Sequence, residues 1–247
     1  MVNAKIIAVC GKGGVGKTSF SALMIKELSK RKDIKILAID ADPAVGLATA
    51  LGMQVQKTVD DIRKEIISRI QKGESKAGKD MSAQLDYEIF EALGQRKNVA
   101  LLAIGRPEDE GCFCKVNNLL KDIIRDLASK FDVVVIDGEA GVEQINRRVM
   151  KKVDHLILVA DTSAKAVNVT AAIAHVAADN RAVDFQSMGL VINRVRSTAE
   201  VEDIKNRTKL GILGWMPDDD MIRDYDFRGK PLTAMPETSA LSGVISS

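Results

Sequence analysis

The segment Gly11-Lys12-Gly13-Gly14-Val15-Gly16-Lys17-Thr18 has the residue types that hold phosphate. Its glycines allow backbone conformations in which successive N–H groups form an anion-binding concavity. Lys17 reaches the β- and γ-phosphates of a nucleotide, the Thr18 hydroxyl can ligate Mg²⁺, and Ser19 continues the cradle. Average residue usage makes a chance match in a chain of 247 residues an event of about one in a hundred. The pattern predicts a nucleotide-phosphate site. Lys12 is surplus to a simple cradle and by itself reads as a solvated loop lysine.

Carboxylates stand in two further places. In Asp40-Ala41-Asp42-Pro43, the proline stiffens the turn and biases Asp42 toward an extended backbone. Asp40 can support a Mg²⁺ shell or the loop, and Asp42 can equally cap a helix beginning near Ala44. Asp137 is followed by Gly138-Glu139-Ala140-Gly141. A carboxylate there can hold a Mg²⁺-bound water while the glycines let the next loop follow a γ-phosphate, although a plain turn Asp looks the same. Asn193 can present a donor and an acceptor to an adenine edge, and a plain strand-ending Asn looks the same.

Cys112 and Cys114 lie in Glu110-Gly111-Cys112-Phe113-Cys114-Lys115. A disulfide between residues two apart closes an awkward ring, whereas thiolates near a helix start have lowered pKa and become ligands. One such pair supplies two sulfurs and a closed soft-metal site wants four, so a two-fold dimer could complete it with Zn²⁺ or Ni²⁺. A fortuitous pair reads identically. Cys10 reads as a small buried hydrophobe, and His155 and His175 as structural, because they lack ligand spacing.

The elements that position these groups follow from the apolar pattern. Lys5–Cys10, Ile34–Asp40, Val99–Ile104, Asp132–Asp137, Leu156–Ala160, Leu190–Asn193 and Ile212–Trp215 read as strands, most of them uninterrupted apolar runs. Thr18–Arg31 and Lys115–Lys130 read as helices with apolar stripes at spacings of three and four. About seven strands with helical crossovers predict one α/β domain over residues 1–247, a doubly wound and mostly parallel sheet with helices on both faces. Residues 57–97 are charged and strand-poor. They read as two amphipathic surface helices, Val59–Ile70 and Met81–Leu93, joined by a loop; the functional alternative is a partner-docking face or a lid.

Composition removes several classes. Lys and Arg number 36 against 34 Asp and Glu, and aromatics are 4%, which argues against a general nucleic-acid binder. No run approaches the ~18 apolar residues of a membrane span, the first apolar run is too short for a signal-peptide core, and three cysteines make no disulfide framework. The expected compartment is the cytoplasm.

The loop with its early lysine resembles the deviant Walker A ATPases, the group of MinD, ParA and the nitrogenase iron protein. That resemblance implies that ATP closes a homodimer, that Lys12 acts in trans on the partner's nucleotide, that Asp42 positions the attacking water, and that Asn193 helps read the base with Met216-Pro217-Asp218 packed beside it. The combination Gly105-Arg106-Pro107-Glu108, Gly111-Cys112-Phe113-Cys114, Asn117, Asp137-Gly138-Glu139-Ala140-Gly141-Val142-Glu143 and Gly229-Lys230-Pro231-Leu232 is similar to the CooC-type nickel-insertion ATPases. It implies a Mg-ATP-dependent metallochaperone with a nickel enzyme, carbon monoxide dehydrogenase or acetyl-CoA synthase, as client. The alternatives are a MinD- or ParA-like positioning ATPase and an iron–sulfur scaffold ATPase. The membrane-bound form of the first is disfavoured because Thr238–Ser247 has no basic face.

Overall fold

Strands that read as unbroken aliphatic runs are covered on both faces. In the computed structural model, β2 (Ile36–Asp40) and β4 (Val99–Ala103) are buried at every position. The structure describes residues 4–73, 79–106, 114–139, 149, 152–179 and 183–236, with the backbone alone at 79, 80, 114, 115 and 179. The other strands are β1 (Lys5–Gly11), β3 (Gly94–Arg96), β5 (Val133–Asp137), β6 (Lys152–Asp161), β7 (Asp184–Val195) and β8 (Ile212–Pro217). They form one sheet in the order β3-β4-β2-β5-β1-β6-β7-β8, parallel except for the edge strand β3.

The sheet thus has 8 strands where the pattern predicts about seven. The addition is β3, a Gly-Gln-Arg triplet with no apolar signal, which pairs antiparallel with β4 through its backbone. β6 and β7 also start earlier than their apolar runs. Their first halves carry the half-buried Asp154 and His155 and the exposed Gln186 and Ser187, where pairing outlasts burial. His155 faces Ser187 across the ladder with Nδ1 2.7 Å from Oγ, a structural use of the histidine.

The helices are α1 (Lys17–Ser29), α2 (Gly46–Leu51), α3 (Val59–Gln71), α4 (Lys79–Glu91), α5 (Cys114–Ala128), α6 (Ala164–Asp179), α7 (Thr198–Arg207) and α8 (Asp220–Phe227). Among the described residues none is long and apolar enough to cross a membrane. The charged stretch 57–97 does form two helices, α3 and α4. Thr58 and Asp61 start α3 with a reciprocal capping box. Ile62, Ile66, Leu85 and Ile89 are at most 1% exposed and belong to the same hydrophobic cluster as the sheet. At ~2 kcal/mol for each fully buried aliphatic side chain, this inner face holds the pair down despite its charged exterior.

Parallel order brings the carboxyl ends of β1, β2, β5, β6 and β7 to one edge, where ligands of such sheets bind. Register aligns Asp40 with Asp137, Val9 with Asp137, and Asp161 with Asn193. The chemistry-bearing residues are neighbours because their strands are.

Candidate functional site

The loop leaves β1 at Gly11 and enters α1 at Lys17. Gly16 caps the helix in the left-handed region, with φ 94°, and no side chain caps the helix start. The first N–H groups of α1 are therefore left for a ligand, at the positive end of the helix dipole. A Cβ at Gly11 would stand 2.2 Å from the Val159 carbonyl oxygen of β6, so the loop exit is glycine-only for close packing. Lys17 is 7% exposed, and its Nζ donates to the Lys12 carbonyl at 3.3 Å. A buried ammonium held by a long bond to a neutral carbonyl can trade it for a phosphate oxygen at a net gain. Lys12 and Ser19 are half-buried beside it.

Asp40 is fully buried and organises the next turn. Its Oδ1 accepts from the Asp42 N–H at 3.2 Å and its Oδ2 from the Leu47 N–H at 2.9 Å, in the first turn of α2. Burial, reinforced by the negative charge of Asp137, pushes its pKa up to about 7. Asp42 accepts from the Ala44 N–H at 2.9 Å, so its turn-forming use is real; Val45 follows at φ 50°, a costly conformation for a β-branched residue.

Asp137 is also fully buried. Its Oδ1 accepts from the Ser21 hydroxyl at 3.0 Å, and the Thr18 hydroxyl donates to the same carboxylate. Oδ2 is buried with no hydrogen-bond partner. Burial raises the pKa to about 6, against the Thr18 and Ser21 hydrogen bonds and the charge of Lys17. Side-chain oxygens gathered beside one orphaned carboxylate oxygen fit a hard divalent cation such as Mg²⁺. Ser21 was not evident from the loop motif alone. The signal for it is helical spacing: three residues after Thr18, it lies on the same face of α1.

Asn193 ends the unbroken buried run of β7 and is 7% exposed. Its Nδ2 donates to the Val15 carbonyl at 2.8 Å, and its Oδ1 accepts from the Arg194 N–H at 2.8 Å. Pro217 ends β8 opposite Val195, and the Asp218 N–H donates to the Val195 carbonyl at 3.0 Å. The phosphate loop, Asp40, Asp42, Asp137, Asn193 and Pro217 therefore share one sheet edge.

The cysteines stand differently. Cys112 lies outside the described residues, and Cys114 opens α5 with its side chain outside them. Among the described residues, no three His, Cys, Asp or Glu gather as a metal site. Cys10 is fully buried and its thiol is pushed up to about 12 by burial, so it is no thiolate at neutral pH. The flanks of the cysteine segment are held by α3: the Asp60 N–H donates to the Ile104 carbonyl at 3.0 Å, and Arg63 Nε donates to Asn117 Oδ1 at 2.8 Å.

A parallel sheet with a strand–glycine loop–helix phosphate cradle and buried carboxylates on adjacent strand ends defines a P-loop nucleotide hydrolase. Residues 6–232 match the CobQ/CobB/MinD/ParA nucleotide binding domain, and the chain belongs to this family of P-loop ATPases. It is 41% identical over 236 residues to an uncharacterised ATP-binding protein of Methanocaldococcus jannaschii, covering 95% of this chain and 92% of that one. It is 28% identical to the carbon monoxide dehydrogenase accessory protein CooC of Rhodospirillum rubrum, over 90% of this chain and 87% of that one. The fold matches the septum site-determining protein MinD of Pyrococcus horikoshii, solved with Mg-ADP, at a TM-score of 0.68 and 22% identity, covering 98% and 93% of the two chains.

Proposed function

We propose that this ATPase is a metallochaperone in which ATP closes a homodimer and the Cys112 and Cys114 pairs of two subunits grip one Ni²⁺ or Zn²⁺ ion. The observation that carries the reading is the joint presence, in one chain, of the two-lysine phosphate loop and the Cys112-Phe113-Cys114 segment. The similarity to CooC over most of both chains supports it. Four thiolates on a two-fold axis satisfy either a tetrahedral or a square-planar soft-metal site.

The division of labour follows from the edge geometry. Lys17 exchanges its bond to the Lys12 carbonyl for the β- and γ-phosphates. Mg²⁺ offsets phosphate charge when bound, held by Thr18 with Asp137 and Asp40 supporting its shell. Asp42 orients the attacking water, and Lys12 of each subunit adds positive charge over the other's phosphates as bonds break. Asn193 and Pro217 face the base. The client is a nickel enzyme such as carbon monoxide dehydrogenase or acetyl-CoA synthase, met in the cytoplasm, with neither nucleic acid nor membrane as a partner.

Metal delivery requires the ATP and ADP states to bind the ion with different affinity. A tenfold difference, about 1.4 kcal/mol, lies within the range typical of coupled sites. The test replaces Cys112 and Cys114 by Ser. Stoichiometric Ni²⁺ or Zn²⁺ binding should disappear with ATP binding spared, and retained tight metal binding would remove the site. Iron–sulfur absorption after anaerobic reconstitution of the unaltered chain would move the reading to a cluster scaffold.

A further inference from the structure

We infer that Asn193 is a positioning residue of the phosphate loop, aiming the Gly16 N–H at bound phosphate, beyond any contact it makes with a base. The inference deepens the nucleotide-site reading and rests on it. Asn193 Nδ2 donates to the carbonyl of Val15, 178 residues away in sequence, at 2.8 Å in a buried environment. In a trans peptide the C=O and the following N–H point in opposite directions, and the described residues contain no cis peptide. Drawing the Val15 carbonyl toward β7 therefore turns the Gly16 N–H the other way, toward the loop's own concavity.

The amide cannot work the other way round. Its Oδ1 already accepts from the Arg194 N–H at 2.8 Å, and a flipped amide would set oxygen against the Val15 oxygen and NH₂ against that N–H. Arg194 stands at φ 59°, where β7 shifts register against β8, and its N–H is satisfied by the Asn193 amide oxygen. Gly16 completes the fit: a Cβ there would lie 2.2 Å from Nδ2, so the close approach of Asn193 and the glycine require each other. Phosphate binding thus depends on the strand that ends at the base side.

A residue that only reads a base is silent toward ligands without one. The experiment titrates Mg²⁺-pyrophosphate and Mg²⁺-ADP into the full chain and into Asn193→Ala by calorimetry. Losing a buried hydrogen bond and disordering one donor should weaken both ligands by about tenfold. An unchanged pyrophosphate affinity, whether or not ADP weakens, overturns the inference; an ADP loss alone leaves base reading intact. If the unaltered chain binds no pyrophosphate, the phosphate site itself is removed and the inference with it. Should the Ala variant fail to fold, the Gly16 amide proton of the unaltered chain decides. It should move downfield on adding pyrophosphate, and an unmoved resonance contradicts the assignment.

Discussion

Among the described residues, charged groups are buried in two regions, and they are left in different states. At the strand edge, Asp137 Oδ2 has no hydrogen-bond partner and Lys17 holds one long bond to a neutral carbonyl. Where α3 and α4 meet the body, burial comes with mutual pairing. Arg63 reaches Asn117 at 2.8 Å and Asp60 at 3.5 Å, Lys64 stands 3.3 Å from Asp60 Oδ2, and Arg69 stands 3.1 Å from Glu88. Asp60 Oδ2 and Glu88 Oε2 also lack hydrogen bonds, yet each has an ammonium within ion-pair distance. A structural cluster closes its own charges, whereas a ligand site keeps capacity in reserve. That difference separates the two regions without any knowledge of a ligand.

The comparison breaks most visibly at Lys17. Lys17→Ala should lower ATP hydrolysis by ~10²–10³-fold, because a preorganised charge on the phosphates is lost. The melting temperature without nucleotide should fall only modestly, because Lys17 gives up a long bond to a neutral carbonyl and its charge beside Asp137, while Asp137 keeps the Ser21 hydroxyl. Steady-state hydrolysis and a thermal melt read the two effects, and a large loss of stability would place Lys17 with the structural class. Arg63→Ala should do the opposite, costing about 2–3 kcal/mol in urea unfolding by leaving Asp60 and Asn117 without their buried partner, with Mg-ADP affinity unchanged. Weakened ADP binding there would merge the two regions.

The pH dependence sharpens the contrast further. Asp40 carries a pKa raised from 3.8 to about 7, first by burial and then by Asp137. A carboxyl whose folded pKa lies above its unfolded one contributes stability at low pH and loses it as pH rises between those values. Between 3.8 and about 7 the unfolding free energy of Asp40→Asn should therefore gain on that of the unaltered chain in Mg²⁺-free buffer. A gap that does not change with pH would show that Asp40 is ionised throughout. The smallest effect is expected at Ser21→Ala, about 1 kcal/mol or a few-fold in Mg²⁺ affinity, since Asp137 keeps its Thr18 donor.

Most of the strand edge is legible in the sequence because few residue types fit there. Gly16 has to lack a Cβ, and the Gly11–Thr18 loop announces both its strand and its helix. Ser21 is hidden because a serine three residues into a helix has many uses, and only the fold brings Asp137 of β5 against it. Asn193 lies two residues inside the end of β7, not at it, and its bond to Val15 depends on the β1-β6-β7 order, which no local pattern encodes. β3 escapes because an edge strand can be stabilised by backbone pairing alone. The α3–α4 pair is predicted as helices from its periodicity, and its tie to both flanks of the cysteine segment through Asp60 and Arg63 becomes visible only once α3 and α5 are packed.

In the proposed mechanism, nucleotide state governs whether two chains hold one ion between them. Metal stoichiometry and subunit association, measured together without nucleotide, with ADP and with a non-hydrolysable ATP analogue, address it directly. The expected result is one Ni²⁺ or Zn²⁺ per two chains, with about a tenfold difference in metal affinity between the ADP and ATP-analogue states. Equal metal affinity and an unchanged oligomeric state across all three conditions would contradict it.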